Sequence, residues 1–177
     1  DRTHAGFNPG HDFEGVVAVE GPHALFAQKM QELVPKYSRP WYLRDDWDTL
    51  REEFSELDDF FDIVLAKGIR IHLFTNPLHA RYWELMEAHG HLALKQDWRN
   101  VITQRVEARQ GQPIGFWDFS GDSPYIHEQV PGPGVLSGPL DWFWEPSHYR
   151  HELGGLMLQS MLAQECGSEA VFGHRLF

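Results

Sequence analysis

"DDWDTLREEFSELDDFFDIVLAKGIRIHLFTNP", residues 45–77, changes period in its middle. Up to Leu65 the apolar side chains recur three and four apart: Trp47, Leu50, Phe54, Leu57, Phe61, Val64 and Leu65. That spacing puts them on one face of a helix. Asp45 or Asp46 is placed to cap the start and Gly68 to close the end. After Gly68 the period falls to two. Ile69, Ile71 and Leu73 alternate with Arg70 and His72, and the run stops at Asn76-Pro77. A helix, a glycine and a strand in that order make the αβ half of a parallel α/β unit.

The flanks extend the pattern. Residues 1–21 are rich in glycine and read as loop, with "GVVAVEG" (15–21) as a short strand. "PHALFAQKMQELV" (22–34) has helical spacing with Pro22 suited to a first turn, and "PKYSRPWYL" (35–43) breaks it. Residues 1–45 are thus an irregular lead-in with a short helix, and 46–165 an α/β core, all within a single domain over 1–177. Downstream, "LHARYWELMEAHG" (78–90) and "ALKQDWRNVITQRVEARQG" (93–111) read as helices and "PIGFWDFSG" (113–121) as a buried strand. A Gly- and Pro-rich loop follows over 120–141, and "SHYRHELGGLMLQSMLAQ" (147–164) closes as a helix. Two strands are too few for a doubly wound sheet, so further strands are expected upstream or in another chain.

Composition narrows the function classes. A chain of 177 residues with 42% hydrophobic and 23% charged residues suits one globular domain. A formal charge of −11 argues against a nucleic-acid partner and against docking on anionic lipid. Seven Trp and twelve Phe imply a large apolar area, part of it a cleft or an interface. The one cysteine, Cys166, rules out an internal disulfide and reads as a small buried residue. No run is long enough to span a membrane and no signal peptide is visible. The opening at Asp1, without Met, reads as the interior of a longer protein.

Candidate chemistry gathers near strand ends and helix starts. In "DWFWEPSHYRHELGGLML" (141–158), Glu145 and His148 stand with two residues between them behind Trp142, Phe143 and Trp144. A carboxylate on one imidazole nitrogen leaves the other free as a base; the plain alternative is a capping residue beside a surface histidine. Asn76 and His79 leave the first strand where α/β sites form. Either they donate to an oxyanion or they make an Asx-Pro turn with a half-exposed histidine. Ser120 stands at the end of the second strand, as cleft lining or as a turn cap. Gly121-Asp122-Ser123 spells G-D-S but follows a late strand, which marks it as a chance match. His89 and His91, with Glu87 nearby, suit the negative end of a helix better than a metal, so no metal and no cofactor is expected.

Four segments together resemble the SGNH (GDSL-like) hydrolase superfamily: "HAGFNPGHDF", "AKGIRIHLFTNPLHARYWELMEAHG", "DWRN…GFWDFSG" and "WFWEPSHYRHELGGLML". More narrowly they resemble a bacterial group distantly related to proteins that O-acetylate exopolysaccharides such as alginate. The resemblance implies a three-layer α/β/α, flavodoxin-like fold with a parallel sheet, incomplete in this chain. It implies His148 as the general base and Glu145 as its orienting acid, where the wider superfamily has Asp. It also implies a nucleophilic serine in an early G-D-S-like block upstream of these residues. The implied activity is hydrolysis or transfer of O-acyl groups on a cell-surface glycan, in the periplasm or cell envelope. Any membrane contact would run through an anchor that the sequence lacks. The implied partners are an acylated glycan and a protein or N-terminal segment completing the sheet. The rival expectation is a non-catalytic accessory subunit, motivated by the exposed-looking "RPWYL" and "PLDWFW" segments.

Overall fold

A computed structural model of the chain describes residues 4, 10–165 and 170–177. Among these the fold is mixed α/β, with six α-helices and a small three-stranded sheet. The helices are α1 (His11–Glu20), α2 (Pro22–Tyr37), α3 (Glu53–Ala66), α4 (Ala80–Ala88), α5 (Leu92–Glu107) and α6 (His151–Glu165). The strands are β1 (Ile71–Thr75), β2 (Ile114–Asp118), β3 (Phe143–Glu145), β4 (His148–Tyr149) and β5 (His174–Arg175).

The expected helix–glycine–strand unit is present. Phe54, Phe61 and Leu65 of α3 are buried, and Gly68 takes a left-handed φ of 71° after the last turn. The helix starts later than its apolar spacing implies. Asp45 Oδ1 accepts the backbone N–H groups of Trp47 and Thr49, both at 2.9 Å, and holds a turn instead of a helix cap. Trp47 is therefore 87% exposed, and Leu50 pairs with Arg44 in an isolated bridge.

β1 pairs in parallel with β2 from Ile71↔Ile114 to Thr75↔Asp118. Every β2 residue is buried, because helices cover both of its faces. Ile114 and Phe116 pack with α3 and α5, through Phe61, Ile102 and Val106. Trp117 joins Phe119 and the α6 residues Met157 and Met161 on the other side. The sheet is mixed rather than purely parallel. Its third strand, β5, runs antiparallel to β2 and comes from the C-terminal residues, not from upstream. Leu176 N–H donates to Phe116 O at 2.8 Å, so even the two residues after β5 are tied to β2.

The lead-in differs most from its sequence reading. "GVVAVEG" forms the end of α1, not a strand: Val17 is buried and Val19 lies in solvent. A short β-branched run has no period of its own, and packing against α2 selects the helix. α2 runs through Pro35 to Tyr37. Tyr37 is buried with Leu33, Leu85 and Met86, and its hydroxyl pairs with that of Tyr82 at 2.7 Å. That anchorage offsets the hydrogen bond that a helical proline forfeits. Between α1 and α2, Gly21 has φ 81°, and a Cβ there would meet Val135 O at 2.3 Å. Only glycine permits that approach of the 128–141 loop.

The long loop has local structure. It opens with a 3₁₀ turn, Pro124–His127, and is tied back by Glu128. The Glu128 carboxylate accepts the N–H groups of Asp141, Trp142 (3.0 Å) and Phe143 (3.2 Å). Burial pushes the Glu128 carboxyl above its usual range, against the pull of those three donors. The expectation for Cys166 falls outside the described residues, as does part of the "HAGFNPGHDF" segment.

Candidate functional site

Glu145 and His148 meet across a hairpin, not at the mouth of a helix. β3 and β4 pair antiparallel, with Glu145 opposite His148 and Pro146-Ser147 as the two-residue loop. The i, i+3 spacing thus becomes a cross-strand pair. β3 is buried throughout and packs on α2, so Glu145 is only 1% exposed. A buried carboxylate needs several donors. Glu145 has Ser147 N–H at 2.9 Å, Ser147 Oγ at 2.8 Å and His148 Nδ1. Lys29 of α2 adds an opposite charge. Burial works against the Lys29 ammonium, but its hydrogen bond to Glu32 and the charges of Glu145 and Glu32 raise its pKa overall.

His148 sits on the outer side of the same pair. Its side chain is 58% exposed, with Phe13 of α1 at 5.9 Å between ring centroids. Phe13 in turn stacks on Trp144 at 5.7 Å. Because Glu145 takes Nδ1, the proton there is fixed and Nε2 is left as the acceptor. Among the described residues no hydroxyl is hydrogen-bonded to Nε2. Ser147 Oγ lies 3.4 Å from Nδ1, on the carboxylate side, and donates to Glu145.

The other candidates occupy different surroundings. His79 is 3% exposed and both of its ring nitrogens are used: Nδ1 accepts Arg81 N–H at 3.2 Å, and Nε2 donates to Glu128 O at 2.8 Å. Burial lowers the His79 pKa, which suits this neutral form. Its backbone N–H donates to Pro146 O at 3.0 Å and so ties the start of α4 to the Glu145–His148 hairpin. Asn76 is exposed at the end of β1. Ser123 of the G-D-S triplet has a buried hydroxyl without a hydrogen-bond partner. Among the described residues no three His, Cys, Asp or Glu side chains converge as metal ligands would. Nor is any described helix long and apolar enough to cross a membrane.

Ser120 belongs to a second constellation, whose other members sequence reasoning missed. At the paired C-terminal ends of β1 and β2, Asp118 Oδ1 accepts Thr75 Oγ1 at 2.6 Å, Ser120 N–H at 2.9 Å and Ser120 Oγ at 2.5 Å. Its other oxygen takes Arg99. Burial alone would raise the Asp118 carboxyl. The hydrogen bonds from Ser120, Thr75 and Arg99 outweigh it and hold the pKa at about 2. Lys95, one turn before Arg99 on α5, donates to Ser120 Oγ at 2.6 Å and lies 3.7 Å from the centre of the Trp83 ring. The signal that could have found Asp118 is an acid closing an apolar strand. Nothing in the amphipathic pattern of α5 marks Lys95 as turned inward.

The chain matches no protein-family model, no curated protein and no solved structure.

Proposed function

We propose that this chain carries the base-bearing part of an SGNH-type ester hydrolase or O-acyltransferase acting on O-acyl groups of a cell-surface glycan. One observation supports it above the rest: a buried Glu145 holds Nδ1 of His148 and leaves Nε2 facing outward beside Phe13. In this reading a serine from an upstream block attacks the acyl carbon and gives its proton to Nε2. Glu145 stabilises the resulting imidazolium, which then protonates the leaving oxygen. The covering of β2 by helices on both faces is in keeping with a three-layer α/β/α arrangement. The same reading puts the protein in the cell envelope.

The test uses the full-length natural protein and a fluorophosphonate probe with a short acyl ester. Covalent labelling of an upstream serine is expected, lost in His148→Ala and slowed on the order of 10²–10⁴-fold in Glu145→Gln, which keeps the shape but not the charge. Labelling of that upstream serine that ignores His148 would sink the proposal.

A second reading, a non-catalytic accessory subunit, draws on the exposed rings of Trp47 (87%), Tyr42 (66%) and Trp41 (48%). It predicts a silent probe and a protein partner that co-purifies, with Trp47→Ala weakening the association.

A further inference from the structure

The Ser120 constellation is built like a nucleophile with its own base, separate from Glu145 and His148. A lysine that is only structural is usually paired with a carboxylate or free in water. Among the described residues Lys95 is neither: its ammonium donates to a serine hydroxyl, beneath an indole ring. Asp118 remains held by Thr75 and Arg99 whether or not Ser120 donates to it. The serine hydroxyl can therefore turn from Asp118 to Lys95 without stranding a buried charge. Ser120 also borders a pocket of about 280 Å³ formed with Trp83 and Ile126, and rimmed by Glu84, Glu87, Asp122 and His127. A strand's C-terminal end beside a helix is where α/β proteins place ligands.

We propose that Ser120 is a nucleophile for acyl transfer with Lys95 as its general base, acting on an uncharged or cationic acyl ester. Ser120 Oγ bonds to the acyl carbon while its proton passes to the neutral amine of Lys95. The bond to the alcohol breaks, and the departing oxygen takes that proton back from Lys95. Water, deprotonated in the same way, then releases the carboxylic acid and regenerates Ser120. The acidic rim disfavours anionic substrates by like-charge repulsion. The geometry is supported by the electrostatics. Burial lowers the Lys95 pKa to about 8, with Asp118 pulling it up and Arg99 pushing it down. Proton uptake by this amine is thus available near neutral pH.

The experiment treats the full chain with a fluorophosphonate probe and maps the modified peptide by mass spectrometry. Modification at Ser120 is expected, with a rate rising about tenfold between pH 7 and pH 9 as Lys95 loses its proton. Ser120→Ala abolishes it. Lys95→Arg is the informative variant: it keeps the cation and a hydrogen bond to Ser120 but cannot act as a base. Circular dichroism confirms its fold, and labelling should fall at least 100-fold. Undiminished labelling in Lys95→Arg, or an unmodified Ser120 in the folded protein, overturns the proposal. Label found only on another serine overturns it too and, where it depends on His148, leaves the Glu145–His148 reading standing.

Discussion

Asp118 shows how one buried charge organises its neighbourhood. Four donor groups converge on a side chain whose residue is 3% exposed, linking β1, β2, α5 and the start of the following loop. Its pKa of about 2 lies below the ordinary 3.8, so the native state binds this proton less readily than the unfolded chain. The stabilisation is present above about pH 4 and is lost as the pH falls towards 2. It amounts to about 2 kcal/mol. Denaturant titrations at pH 5 and pH 2.5 should show this loss in the wild type, and Asp118→Asn should remove that part of the pH dependence. Lys95 has the complementary sign. Its pKa is also depressed, so the cost of burying the ammonium is complete below pH 8 and is relieved as the pH climbs from about 8 towards 10.5.

Helices α2 and α3 both depart from their apolar spacing, in opposite directions. In α3 the apolar spacing continues backwards to Trp47, yet Asp45 captures two backbone N–H groups and the helix begins only at Glu53. A short side chain that satisfies the backbone locally wins over periodicity where no burial is at stake. In α2 the reverse holds, because the burial of Tyr37 carries the helix past Pro35. Pro35 is itself exposed, so replacing it relieves the lost hydrogen bond without disturbing a contact. Pro35→Ala should stabilise the protein by about 1–3 kcal/mol, read as a higher midpoint in urea. The pairing of α3 with α5 depends on charge as well as packing. Arg109 reaches Asp58 at 3.0 Å and Asp62 at 2.7 Å, and Arg105 reaches Asp58 at 3.2 Å.

The three-stranded sheet ties the C-terminal residues to the middle of the chain. β2 is reached from one side by β1 and from the other by β5, and Leu176 and Phe177 pack onto the α3–α5 cluster. Leu176→Pro removes the N–H that bonds Phe116 O, and its ring cannot fill the same space. A loss of about 2–4 kcal/mol is expected, with faster hydrogen exchange along β2 as the distinguishing readout. Damage confined to the last four residues, with β2 still protected, would mean that β5 contributes little to the fold.

The elements that could be read from the chain carry their own period. α3, β1, α4, α5 and α6 each announce a face every two or every three to four residues, and β2 announces itself as a short unbroken apolar run, as a strand buried on both faces does. The Glu145–His148 pairing was legible from its i, i+3 spacing, but the two-residue hairpin that makes it was not. The antiparallel β5, the helix through Pro35 and the Lys95–Ser120–Asp118 cluster were not. Lys95 lies 25 residues from Ser120, and Thr75 lies 43 from Asp118. No spacing rule connects such positions; the parallel register of β1 on β2, and α5 laid against β2, bring those side chains within hydrogen-bonding distance.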